Sequence, residues 1–434
     1  MNSTREAALV KKVTWRLMPF LFLLYVVAFL DRANVGFAKL KFMTDLKYDE
    51  SVFLTGAGIF FIGYFIFEVP SNVILEKIGA KIWITRIMIT WGIIASCMMF
   101  ITKNHVTYYC LRFLLGAAEA GFYPGILLYL TYWFTPKERA GIISIFMTAA
   151  VCSNILGSPL SGYLLQYQFF GLNSWQTMFL LEGIPAILLG FCVLGYLPDG
   201  PMKAKWLVTD EQEHLVNRLK PFLQAGVANH KKWYAVFQPA LMPFFFIYFF
   251  LNMSSYTVTF FLPTIVQTVF HVEKGNTFKT GLITAIPYTF AIVTMLLVGR
   301  SSDRTGERKL HVAYSAFVSA IGFVIAALAG TNGYTTLFGL TIAAIGIWSL
   351  IGPFWAMPTT VLQGTAAAGG IAAINSFGNL GGFLGPFIKG QFEITHQPTS
   401  YIYWLFVGTM ILAGILAYNI RLPKVTLTQP NHLD

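Results

Sequence analysis

Twelve stretches of about twenty mainly apolar residues, the length that crosses a bilayer as a helix, run through this 434-residue chain. Glycine, proline and charge clusters separate them, with boundaries at 15–37, 52–75, 82–102, 106–133, 140–165, 175–197, 239–265, 280–300, 311–329, 334–357, 365–388 and 399–420. Hydrocarbon offers no water to pair with backbone N–H and C=O groups, so an isolated segment survives there only as a helix that pairs its own. The expected fold is all-α and integral to a membrane. Charged residues make up only 11% of the chain, against about a quarter in soluble domains.

An even number of spans puts both chain ends on one side, and the basic residues choose which. With the N-terminus cytoplasmic, the inner segments hold 21 of the 30 Lys and Arg residues and the outer loops hold 7, namely Lys39, Lys41, Lys47, Lys103, Lys274, Lys279 and Lys389. This bias follows the positive-inside rule and predicts a multi-pass protein of the bacterial inner membrane with both termini cytoplasmic. Arg5, Lys11, Lys12 and Arg16 before an apolar run look like the start of a signal peptide. The run is long enough to span and shows no convincing cleavage site, so it reads as a retained first helix.

The one long polar stretch divides the chain into a six-helix bundle at 1–197, a cytoplasmic linker at 198–238 and a second six-helix bundle at 239–434. Within the linker, Thr209-Asp210-Glu211-Gln212 has the form of a capping box and predicts a short amphipathic helix. The net charge of +11 is not gathered into a basic stripe, which argues against nucleic acid as a partner. Cys97, Cys110, Cys152 and Cys192 lie in apolar segments without paired or ligand spacing, and the seven histidines are scattered. No cofactor or metal is expected, and no nucleophile constellation suggests an enzyme.

The two halves share a repeat. Glu76-Lys77-Ile78-Gly79 follows the second span and Asp303-Arg304-Thr305-Gly306 follows the eighth, each an acid, a base and a glycine two residues on. Gly79 and Gly306 permit tight turns. Glu76, Lys77, Asp303, Arg304 and Arg308, with Gly299, are candidates to pair with helix ends and hold the inner side closed.

Asp31 and Arg32 in the first span and Arg112 and Glu119 in the fourth are charges where a span should carry none. Each costs about 2.5–3.5 kcal/mol on insertion scales, which makes it a functional-site candidate. At 1.5 Å per residue, Asp31, Arg32 and Arg112 fall about 8–9 Å inside the outer boundary and Glu119 near the midplane. Arg112 and Glu119 are two turns apart on one face, flanked by small residues at Gly116, Ala117, Ala118, Ala120 and Gly121 that allow close helix approach. Two bases to hold an anion and two acids to take up protons can thus meet in one cavity. Two salt bridges that only lock helices are the alternative, though apolar packing often stabilises as well. Glu68 and Glu182 lie near Pro or Gly at span ends and read as structural, paired with backbone or loop bases.

Phe29-Leu30-Asp31-Arg32-Ala33-Asn34-Val35-Gly36, Gly63-Tyr64 with Glu68-Val69-Pro70-Ser71-Asn72, and Arg112 followed by Gly116-Ala117-Ala118-Glu119-Ala120-Gly121-Phe122-Tyr123-Pro124-Gly125 resemble the anion:cation symporter family of the major facilitator superfamily. Leu197-Pro198-Asp199, Lys205-Trp206-Leu207, Phe354-Trp355, Pro358 and Asn375 are also similar to it. The resemblance is greatest to the branch of tartrate, sugar-acid and aromatic-acid permeases. It implies two pseudo-symmetric six-helix bundles and proton-coupled import of an organic carboxylate by a monomer in the lipid bilayer. It also implies Asp31 and Glu119 as proton carriers, Arg32 and Arg112 as carboxylate contacts, and Tyr64, Trp355 and Asn375 as pocket residues. Phe29 and Ala149-Ala150 stand where sugar-acid carriers of the family have polar groups, which disfavours a heavily hydroxylated substrate.

Other readings are an organophosphate:phosphate antiporter, a drug:proton antiporter and a transporter-like membrane sensor. The first would use arginines from both halves, yet the seventh span has none. The second is echoed only by Gly157-Ser158-Pro159, and buried arginines suit anions better than cationic drugs.

Overall fold

Residues 3–169, 171–227, 239–273, 275–358 and 365–420 are described by a computed structural model, whose regular elements within these ranges are all helices joined by short turns and loops. Residues 228–238 of the linker, Lys274, Arg421, Lys424 and the side chain of Glu76 lie outside the described part. The helices are α1 (Ser3–Leu46), α2 (Glu50–Ile78), α3 (Ala80–Cys97), α4 (His105–Glu119), α5 (Phe122–Thr131), α6 (Pro136–Leu164) and α7 (Ser174–Tyr196). They continue with α8 (Thr209–Val227), α9 (Met242–Val269), α10 (Thr277–Thr305), α11 (Arg308–Leu328), α12 (Gly333–Ala356), α13 (Thr365–Ile394) and α14 (Ser400–Asn419). Twelve segments are long and apolar enough to cross a membrane, with α4 and α5 together forming the fourth.

Packing repeats between the halves. Among the first six spans α3 lies on α7, α2 on α4 and α1 on α6; among the last six, α11 lies on α14, α10 on α12 and α9 on α13. The two sets meet along α2 with α13 and along α6 with α10. Glycine lets them touch closely at the face opposite Ser3, here the far face. A Cβ at Gly281 would stand 2.3 Å from the Ser158 carbonyl oxygen, and one at Gly390 would stand 1.8 Å from Leu54 Cδ1.

Three expectations from the sequence need correction. The first span does not stop near Phe37, because α1 continues as one helix to Leu46. Lys39, which seemed to end the apolar run, is buried: its ammonium pairs with Glu50 and lies 4.4 Å from the centre of the Phe261 ring. Lys389 is likewise buried, pairing with Glu393 and lying 5.0 Å from that same ring. These two lysines belong to a charged latch at the far face, not to loops. The linker cap also forms one residue early. Glu211 takes the Val208 N–H at 3.2 Å, which satisfies an orphan donor of the first turn of α8.

Salt bridges bind α8 to the near face, the face of Ser3. Arg218 reaches both Glu6 (2.7 Å) and Glu138 (2.5 Å), and Lys12 meets Glu211 at 2.7 Å.

Candidate functional site

The fourth span breaks where its charge lies. α4 ends at Glu119, Gly121 takes φ +86°, and α5 restarts at Phe122. Pro124 suits this restart, since a first helical turn needs no N–H from it. A Cβ on Gly121 would stand 2.2 Å from Ser71 Oγ, so glycine is required by both conformation and space. The break leaves a carboxyl at a helix C-terminus, where the helix dipole disfavours negative charge. Its counter-ion is Arg32 on α1. Arg32 Nε donates to Glu119 Oε1 at 2.8 Å, Nη2 lies 2.6 Å from the same oxygen, and Nη1 donates to Tyr256 Oη on α9 at 2.6 Å. The guanidinium also packs over the rings of Phe29 (5.0 Å) and Tyr64 (5.2 Å).

Beside this pair a narrow cavity of about 40 Å³ lies between the two sets of spans. Tyr25, Arg32, Tyr64, Tyr123 and Asn154 line it from the first six spans. Tyr248, Asn252, Tyr256, Trp348, Asn375 and Asn379 line it from the last six. Arg32 is the one charged residue in its lining among the described residues. Tyr123 and Trp355 meet at 5.7 Å and Trp355 packs against Tyr248 at 4.9 Å, closing the near end. Toward the far face, Lys39 and Lys389 gather around Phe261.

The residues singled out from sequence are only partly brought together. Arg32, Tyr64 and Asn375 line the cavity, with Glu119 directly behind Arg32. Trp355 is buried behind Tyr248 and is not part of the lining. Arg112 also stays out of the lining. Its Nε donates to the Gly56 carbonyl at 3.2 Å and its Nη2 to the Ala57 carbonyl at 3.5 Å, so it ties α4 to α2 instead of facing Arg32 as the second arm of a clamp. Asp31, one residue from Arg32, points into the first six spans by helical rotation. Its Oδ1 accepts from Asn34 Nδ2 at 3.2 Å, and the carboxyl is buried beside the Trp91 indole.

Glu68 and Glu182 depart from the expected backbone or loop pairing. Glu182 accepts from Ser161 Oγ at 2.7 Å, and Glu68 accepts from Asn375 Nδ2 at 2.6 Å and from Ser376 Oγ. Interior hydroxyls and an amide, not loop bases, are their partners, because each acid faces a neighbouring helix. In the repeat loops, Gly79 takes φ +99° and Gly306 φ +70°. Asp303 pairs with Arg308, which also donates to Ser302 Oγ at 3.1 Å, so this ion pair is local to its loop. Gly299 lies within α10, and Lys77 and Arg304 are exposed.

Sequence reading missed Tyr256 and the polar face of α9. The signal was present: Tyr248, Asn252, Ser255, Tyr256 and Thr259 recur at helical spacing inside an apolar span. Asn252 is buried on this face beside the Tyr248 hydroxyl, and both line the cavity.

A pattern for the Major Facilitator Superfamily matches residues 21–386. A protein of Agrobacterium vitis named "Putative tartrate transporter" is 46% identical over 96% of this chain and 95% of its own length. The "Quinolone resistance transporter" of Acinetobacter baumannii is 37% identical over 95% of each chain. Among solved structures, a D-xylose-proton symporter superposes with TM-score 0.73 at 14% identity, covering 94% of this chain and 98% of that one. Twelve apolar helices, the paired halves and these relatives give one conclusion: the chain is a multi-pass membrane transporter, not an enzyme, and belongs to the major facilitator superfamily.

Proposed function

We propose that the protein imports an organic carboxylate together with protons, by exposing the central cavity alternately to the two faces. The observation that carries this reading is the Arg32–Glu119 pair at the cavity wall. A guanidinium has five N–H groups. Glu119 and Tyr256 engage three; the one left on each terminal nitrogen gives an arriving carboxylate its first hold, from which it competes with Glu119 for the rest of the fork. An incoming anion that takes over the guanidinium separates it from Glu119. A buried carboxylate without its partner is costly, and a proton on Glu119 restores neutrality, so anion and proton bind together. Asp31 serves as the second proton carrier. If both acids load with a monoanion, one net positive charge crosses, contributing about 2.3 kcal/mol per 100 mV.

The relative named for tartrate supports a small carboxylate as substrate. In this reading 1–197 and 239–434 are the two moving bundles of a monomer, 198–238 is a linker, and both termini are cytoplasmic in a bacterial inner membrane. Arg112 keeps α4 against α2 during the movement. A second reading, proton-coupled export, draws on the aromatic cavity walls and on the relative named for quinolone resistance.

Proteoliposomes acidic outside, given labelled tartrate outside, test both. Accumulation inside above the outer concentration, abolished by a protonophore, is the expected result. Exchange without accumulation refutes proton coupling, and tartrate leaving against its gradient as protons enter favours export.

A further inference from the structure

We propose that Glu68 is a positioning residue which fixes the edge that Asn375 offers to the cavity, so that the transported carboxylate must itself carry a hydrogen-bond donor such as a hydroxyl. The inference rests on the carboxylate reading above and narrows it. Glu68 is fully buried on α2, and no Lys or Arg pairs with it among the described residues. It instead takes Asn375 Nδ2 at 2.6 Å and Ser376 Oγ, both from α13.

An asparagine amide has one donating and one accepting edge. Unconstrained, it turns to suit whichever ligand arrives. A carboxyl oxygen accepts from the NH₂ group whether the acid is ionised or not, so in either state Glu68 takes one of the two Nδ2–H groups of Asn375 and fixes which way round its amide stands. Oδ1, with no hydrogen-bond partner among the described residues, is thereby held as an acceptor for the cavity that Asn375 lines. Asn154 is held in the same sense from the other set of spans. Its Nδ2 donates to the Ala150 carbonyl at 2.9 Å, leaving Oδ1 for a ligand.

The lining thus sets one cation, Arg32, beside two amides whose accepting edges are fixed. A carboxylate bearing only C–H groups would desolvate these oxygens and return nothing, whereas a hydroxy acid satisfies them. Glu68 and Asn375 stand on opposite sets of spans, so the accepting orientation exists only while α2 and α13 touch. The donor is therefore read as the cavity closes.

Tartrate, malate and succinate share one carbon skeleton and differ in hydroxyl count, which makes them matched probes. Titrated at neutral pH into the purified full chain, wild type should bind tartrate or malate at least about tenfold more tightly than succinate. Glu68→Gln can donate to Asn375 Oδ1 and lets that amide turn over. Its ratio should fall to within about threefold while succinate affinity is kept or improved. A ratio is used because loss of a negative charge near the cavity raises affinity for every anion alike. Ser376→Ala, which removes only the other hydrogen bond to Glu68, should keep the wild-type ratio. Should Glu68→Gln not fold, Asn375→Ser carries the test, since a rotating hydroxyl offers either role and must also lose the discrimination. Discrimination retained in Glu68→Gln or Asn375→Ser, or wild type preferring succinate, overturns this inference alone. Failure of wild type to bind any of the three overturns the carboxylate reading with it.

Discussion

Glu119→Gln replaces the carboxylate beside Arg32 with a group of the same shape and no charge. In the structure Glu119 Oε1 receives two contacts from the guanidinium, at 2.8 and 2.6 Å, and both residues are buried. Removing one charge of such a pair costs about 3–5 kcal/mol, and the amide oxygen still accepts, so a loss near the lower end is expected for the ligand-free protein. The same change removes the competitor that an anion must displace. Hydrogen bonds to charged groups are worth about 1.5–3 kcal/mol net, so the variant should bind an anion roughly ten- to hundredfold more tightly on the alkaline side of neutrality. Wild-type affinity should weaken by about tenfold per pH unit if one proton enters with each anion, and this slope should flatten in the variant. Calorimetric titration in detergent at several pH values measures both quantities. In liposomes the variant should exchange labelled substrate yet concentrate it less than wild type under a proton gradient, since only Asp31 is left to carry a proton. Weaker anion binding with an unaltered pH slope, or wild-type accumulation, would refute the displacement argument.

Three further outcomes follow from other parts of the molecule. Lys389→Met keeps an apolar side chain but leaves Glu393 without its base in the far-face latch. A reporter cysteine at Ser255, in a background lacking the four native cysteines, should then be labelled from outside at least about tenfold faster, and an unchanged rate counts against a latch. Gly121→Ala forces a side chain into φ +86° and towards Ser71 Oγ. It should lower stability by about 1–3 kcal/mol, read by thermal unfolding, and an unshifted midpoint would show that the break tolerates a Cβ. At the near face, burial alone would raise the Glu138 carboxyl, but hydrogen bonds from Arg218 and Thr135 bring it below the ordinary glutamate value. Its stabilisation of α8 is therefore present above that ordinary value and lost as pH falls through the depressed one. Protection of the α8 amides against hydrogen exchange, relative to their intrinsic rates, should fall on acidification in wild type and be low at every pH in Arg218→Ala.

The sequence by itself determined the class of the protein. Apolar length sets the number of spans, because hydrocarbon tolerates only self-paired backbone. The repeated acid, base and glycine after the second and eighth spans exposed the kinship of the halves. Charges in the first and fourth spans marked the site, since an ionisable group in such a segment is costly wherever the chain folds. Arg32 and Glu119 were legible in that way, Tyr64 and Asn375 only through the resemblance to a known family.

Partnership was not legible, because it depends on helix rotation and on neighbours hundreds of residues away. Arg112 and Glu119 share a face of α4, but the carbonyls of Gly56 and Ala57 engage Arg112, and Arg32 takes Glu119. Lys39 and Lys389 read as loop charges, since nothing local reveals that the Phe261 ring and two glutamates will receive them. Glu68 shows the limit most plainly. Its partner Asn375 lies 307 positions away, and only the packing of α2 on α13 turns an acid near a proline into the residue that orients the cavity's amide. Local pattern fixes what must be buried, whereas the crossing of helices from the two halves decides which buried groups meet.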